Sequence, residues 1–174
     1  MELTVKSKER EFKEVKEKLY AYYRDKIKET AIEKELELLN KQLEETDAKI
    51  KSSNIHLEAD IQAMQLNERV QTSNVSSCID KAVERSISLL ENKQAERIEE
   101  IYKKEEELKD LRYQNKRLDY LLSIFNEEIQ NFLYLRYGKK LTYMAMQMEL
   151  NKDYSVLAKQ DIKILEDILK FKMI

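Results

Sequence analysis

The chain has 174 residues, of which 38% are charged, 32 Lys and Arg standing against 34 Asp and Glu for a net charge of −2. That near-neutral mixture excludes a protein dominated by one sign of charge, and a single cysteine, Cys78, excludes an intrachain disulfide and points to a reducing compartment. No proline, one glycine and abundant Glu, Lys, Leu, Ile and Gln exclude a turn-rich sheet protein and predict an all-α fold.

Met1 to Arg10 is charged where a secretion signal would be apolar. No run approaches the roughly 18–20 apolar residues of a membrane span, so a cytoplasmic protein without membrane contact is expected. The first predicted element, within residues 1–51, is a long amphipathic helix from about Ser7 to Lys51. Phe12, Val15, Leu19 and Tyr22 open its apolar stripe, and Ile32, Leu36, Leu39, Leu43 and Ile50 continue it in two interleaved rows. Tyr20, Tyr22 and Tyr23 form a local cluster that helix packing explains.

Residues 52–78 form a connector far longer than the roughly 2–8 residues that usually join packed helices. Leu57, Ile61 and Met64 allow a short helix there, while Val70 to Ser77 reads as extended or mobile chain, either a functional segment or a simple tip. The second long helix spans 79–125, opened by the capping-box spacing of Ser77-Cys78-Ile79-Asp80. Its rows are Ile87, Ile101, Leu108 and Leu122, then Val83, Leu90, Leu111, Leu118 and Phe125. Gln94, Arg97, Lys104 and Asn115 interrupt the seam and predict loose packing there. At about 1.5 Å per residue each helix is about 65–70 Å long, and near-equal lengths predict an antiparallel helical hairpin. A parallel coiled-coil dimer is the competing arrangement.

Residues 126–174 follow a different grammar. Asn126 with Glu127 and Glu128 starts a helix through Phe132, Leu133 and Leu135, and Gly138 suits the left-handed position that ends it. Thr142 caps a short helix reaching Leu150, in which Met144, Met146 and Met148 read as core filler rather than a peptide groove. Asn151 supplies a left-handed stop and Asp153 caps the last helix, whose Leu157, Ile164, Leu165 and Ile168 face inward. Short helix, tight turn and longer helix make a helix-turn-helix.

Leu118-Asp119-Tyr120-Leu121 through Leu135-Arg136-Tyr137, then Leu141-Thr142-Tyr143 and a helix ending near Leu165-Glu166-Asp167-Ile168, resemble region 4 of bacterial sigma factors. More closely they resemble the sigma-like phage regulators of the RinA and ArpU type. The resemblance implies a phage or prophage transcriptional regulator that binds double-stranded DNA, with host RNA polymerase a further partner. It also implies that the helical arm serves for homodimerisation or protein contact. Gln147 stands where that pattern has Ala, Asn151 where it has Gly, and Asp153 and Tyr154 where it has Ser or Thr and Arg.

Under this resemblance the DNA-contacting candidates are Lys139, Lys140 and Thr142 before the short helix, Lys152 in the turn, and Tyr154, Ser155, Lys159 and Lys163 on the last helix. Ala158 would share the groove-facing side, whereas Asp153 and Asp161 would oppose phosphate. The alternative function is a coiled-coil scaffold or adaptor whose C-terminal helices bind protein, the same lysines then lining a solvated face. Enzyme chemistry has little to draw on. His56 lacks a partner at metal-ligand spacing, Cys78 lacks a paired base, and no glycine-rich phosphate loop exists. Carboxylates alternate with lysines at helical spacing, so neither catalytic residues nor a metal or cofactor is expected.

Overall fold

The computed structural model describes residues 2–51 and 72–171, with side chains over 8–51 and 80–171. Every described element is helical: α1 (Glu2–Lys51), α2 (Thr72–Ser123), α3 (Glu127–Leu133) running into a π-helical turn (Tyr134–Gly138), α4 (Tyr143–Leu150) and α5 (Tyr154–Lys170). No described helix is long and apolar enough to cross a membrane. The chain divides into two units, one formed by Met1–Ala31 with Leu108–Ile174 and the other by Ile32–Glu107.

Within residues 32–107, α1 and α2 pack antiparallel, and the polar seam residues have found partners. Lys104 Nζ lies 2.7 Å from Glu35 Oε2. Arg97 Nη1 donates to the Gln42 carbonyl at 3.3 Å and to the Thr46 hydroxyl, and Gln94 Nε2 donates to Asp47. Numbers rise along α1 as they fall along α2, with Ile32 and Ile101 buried between. A seam that looked loosely specified is therefore held in register by complementary polar groups, each matched only at one alignment.

The other unit contains the main core. Val15, Leu19 and Tyr22 of α1 and Leu121 and Leu122 of α2 pack with Phe132, Leu133, Leu135, Tyr137, Met146, Leu157, Ile164, Leu165 and Ile168. Each such apolar side chain contributes about 1.5–3 kcal/mol on burial, and α3 to α5 alone are too short to assemble that many. Residues 126–171 consequently share one core with α1. Antiparallel pairing recurs here. Tyr22 donates its hydroxyl to Asp119 Oδ1 at 2.6 Å, and Lys26 Nζ bridges Asp119 Oδ2 at 3.0 Å and Glu29 Oε2 at 3.2 Å. Asn115 Nδ2 donates to Glu29 Oε1 at 3.1 Å, so this buried pair also fixes alignment.

Capping follows the local sequence closely. The Asn126 side chain accepts from Ile129 N at 3.0 Å, and Thr142 Oγ1 accepts from Ala145 N at 3.3 Å. Asn151 is left-handed, with φ 50° and ψ 45°. Asp153 occupies the extended position before α5 but makes no side-chain cap bond, its carbonyl instead accepting from Val156 N and Leu157 N at 3.0 Å.

Three expectations change. α2 begins at Thr72, not Ile79, so residues 72–78 are helical and the Ser77-Cys78-Ile79-Asp80 segment lies inside the helix; propagation costs little once a helix has formed, even through Ser and Asn. The rest of the connector, with Leu57, Ile61, Met64 and His56, falls outside the described residues. Gly138 is not left-handed; Lys140 takes that role at φ 58°. Gly138 closes the π turn, where Lys139 N donates to Tyr134 O at 2.8 Å and Leu141 N to Leu135 O at 3.0 Å. A Cβ there would lie 2.8 Å from Tyr134 Cδ2 and 3.3 Å from Tyr23 Cδ1, so absence of a side chain, not backbone freedom, is what the site requires. Finally, Met146 is fully buried, but Met144 and Met148 are 74% and 91% exposed, because one face of an eight-residue helix meets the core and these two lie off it.

Candidate nucleic-acid interface

α4, the turn at Asn151, Lys152 and Asp153, and α5 form a helix pair joined by a left-handed residue. On α5 the inward row is Leu157, Asp161, Ile164, Leu165 and Ile168, all buried. The spacing i, i+4, i+7, i+8, i+11 sets this row on one side of the helix, leaving Ser155, Lys159, Ile162 and Lys163 exposed on the other.

Asp161 does not face outward as a phosphate-facing carboxylate would. It is 1% exposed, accepting from Tyr137 Oη at 2.7 Å on Oδ1 and from Tyr143 Oη at 2.6 Å on Oδ2, with Lys16 Nζ 3.9 Å away. This carboxylate ties α1, the π turn, α4 and α5 together. A carboxylate at i+4 from Leu157 and i−4 from Leu165 already belonged to the inward row, which is the signal by which the sequence could have placed it.

Around Tyr143 the packing is layered. The Arg136 guanidinium lies 4.4 Å from the Tyr143 ring centroid and donates from Nη1 to Leu141 O at 2.8 Å, while its Nε is buried with no hydrogen-bond partner. Tyr154, 52% exposed at the start of α5, meets Tyr143 edge-to-face at 5.4 Å and 85°. Tyr137 is itself edge-to-face with Tyr20 of α1 at 5.1 Å.

Burial, and then the Asp161 carboxylate beside it, drive the Tyr137 hydroxyl well above the usual tyrosine range. Burial, followed by its hydrogen bond to Asp161, pushes Tyr143 up to about 12. Both shifts favour the neutral phenol in the folded protein. Their contribution is complete below the ordinary tyrosine pKa of about 10 and is lost as pH rises through the folded values. The urea midpoint should therefore begin to fall above about pH 10, with a shallower fall for Tyr143→Phe. A Tyr143→Phe profile parallel to that of the parent from pH 9 to 12 would contradict the assignment.

The sequence-derived candidates separate into groups. Ser155, Lys159 and Lys163 share the exposed side of α5, and Tyr154 stands exposed at its start. Ala158 is half-buried. Lys139 and Lys140 are exposed ahead of α4, Lys139 Nζ lying 5.7 Å from the Tyr134 ring centroid. Thr142 is exposed, with its hydroxyl engaged as the α4 cap. Lys152 is half-buried and paired with Glu128 at the start of α3, so its charge is committed within the protein. Gln147 is half-buried on α4. Val156 and Ile162, exposed by 47% and 50%, add apolar surface to α5; they fall outside the inward spacing, and that mismatch marks them in the sequence.

Among the described residues no group of three His, Cys, Asp or Glu side chains could hold a metal ion. His56 lies outside the described residues, and Cys78 outside the described side chains. No protein-family model, curated protein or solved structure matches the chain.

Proposed function

We propose that the protein is a DNA-binding transcriptional regulator of the sigma-like phage or prophage kind, docking α5 in a major groove. The observation that carries this reading is the composition of α5's outer side. Ser155, Lys159 and Lys163 are solvent-facing while Asp161 is withdrawn into the core, so of the two aspartates expected to oppose phosphate only Asp153, just ahead of the helix, stays exposed beside these cations and hydroxyl. Tyr154 begins that side, braced by Tyr143. Lys139 and Lys140 supply phosphate contacts ahead of α4. The paired α1 and α2 serve for dimerisation or contact with polymerase.

The test is binding of the full chain to fragmented phage or host DNA at about 50 and 200 mM salt, followed by sequencing of the bound fragments. Enrichment of a few loci should survive the higher salt. Lys159→Ala with Lys163→Ala should then weaken binding to those loci and lower the magnitude of the salt slope by about 2. Unchanged binding by the pair would remove α5 as the reading helix.

A second reading, a coiled-coil adaptor whose C-terminal helices bind protein, is favoured by the exposed Val156 and Ile162 on α5 and Met144 and Met148 on α4. No locus enrichment at either salt would make it the better account.

A further inference from the structure

The outward side of α2 from Lys109 to Tyr120, with Ile124 in the turn that follows the helix, lies wholly within the unit that holds the main core. It is separate from α5. Opposite the buried Leu108, Asn115, Leu121 and Leu122, helical spacing lines up Lys109, Tyr113, Lys116, Arg117 and Tyr120, all exposed, and Ile124 in the turn after α2 is exposed as well. Tyr113 is 80% exposed, Tyr120 60% and Ile124 49%. Elsewhere in this unit tyrosines are used for packing, as the Tyr20–Tyr137 and Tyr22–Tyr23 pairs show. Two phenol rings two turns apart on open helix therefore stand out.

The charges around them favour one sign. Lys109, Lys116 and Arg117 are exposed, and none is engaged in an ion pair among the described residues. Asp119 is turned to the α1 side, where Tyr22 and Lys26 hold it, and Asp110 sits at the stripe's edge. The centreline thus has aromatic and aliphatic side chains flanked by unpaired cations, without a carboxylate between them. Tyr, Arg and Ile grouped in this way match the centre of a protein interface, where aromatic residues and Arg are enriched and carboxylates depleted.

We propose that this stripe docks an acidic amphipathic helix of a partner protein. Its apolar side chains seat between Tyr113 and Tyr120 and against Ile124, and its flanking carboxylates meet Lys109, Lys116 and Arg117. At about 1.5 Å per residue the helical stripe from Lys109 to Tyr120 is about 17 Å long, which accommodates about three turns of such a helix. Nucleic acid fits less well. The rings project on the centreline, where they would hold duplex phosphates away from the cations. The inference does not depend on α5 binding DNA.

The full chain would be titrated by fluorescence anisotropy into a labelled helical peptide carrying Leu along one face and Glu beside it. Controls are the same peptide with Lys for Glu, and a short DNA duplex. The acidic peptide should bind at least about tenfold tighter than the Lys peptide. Tyr113→Ala with Tyr120→Ala, and separately Lys116→Glu with Arg117→Glu, should each weaken it by about tenfold or more. Both variants should keep the parent's helicity, since all four side chains are exposed. Lys159→Ala with Lys163→Ala should leave peptide binding unchanged. Absent binding, equal affinity for the two peptides, or indifference to both stripe variants would overturn the proposal. So would stripe variants that weaken the DNA duplex while sparing the peptide, which would make the stripe a nucleic-acid surface.

Discussion

Asp161→Ala is expected to lower stability by about 3 kcal/mol, the loss of two hydrogen bonds to a buried carboxylate at about 1.5 kcal/mol or more each. For a chain of this size that is a fall in Tm of about 6–12 °C. Removing the acceptor leaves Tyr137 Oη, deep in the core, without the partner it now holds at 2.7 Å; Tyr143, only half-buried, can turn toward water. Asp161→Asn keeps an acceptor for one phenol and should lose about half as much. The combination Tyr137→Phe, Tyr143→Phe and Asp161→Leu removes every polar member at once, so it should recover most of the loss. A change of under about 1 °C for Asp161→Ala would mean that the carboxylate does not hold α5 against α1 and α4.

Gly138→Ala tests a conflict between propensity and packing. With Gly138 free of positive φ in the π turn, alanine would gain about 1 kcal/mol from reduced freedom of the unfolded chain if nothing stood in the way. The Tyr134 ring does stand in the way, 2.8 Å from the new Cβ, with Tyr23 3.3 Å off on the α1 side. Tyr134 is hemmed by Tyr23 at 6.0 Å and by Lys139, so its movement disturbs the contact of the π turn with α1. Overpacking of this kind costs about 1–3 kcal/mol, which exceeds the gain, and the substitution should be destabilising by about 1 kcal/mol. In a Tyr134→Ala background the sign should reverse. The denaturant midpoint at constant m measures both, and a stabilising Gly138→Ala in the parent chain would show that the crowding is relieved without cost.

Local chemistry was legible in the chain. The starts at Asn126 and Thr142, the left-handed stop at Asn151 and the inward Leu157, Ile164, Leu165 and Ile168 depend on residues within a few positions of one another, where side-chain reach and helical period decide the outcome. The all-α class and the apolar stripes of α1 and α2 follow from the same short-range rules. For the candidate interface this was enough to place Ser155, Lys159 and Lys163 together on α5, because a row four residues apart needs only the helix itself.

What required the tertiary structure were the choices made by partners distant in sequence. Gln94, Arg97, Lys104 and Asn115 looked like weak points until α1 brought Asp47, Thr46, Glu35 and Glu29 to them. The inward spacing already set Asp161 in the buried row, but only the fold supplied Tyr137 and Tyr143, the partners that make it a core acceptor. Gly138 marked an end of helix on either reading, but what excludes a side chain there, two tyrosine rings where its Cβ would stand, lies partly on α1. Sequence by itself determined where α3, α4 and α5 start, where α4 stops and which side of α5 is apolar, because those energies are local. Tertiary structure alone decided what the buried polar groups bond to and which methionines stay in water, because desolvation depends on what packs against a side chain and not on its neighbours in the chain.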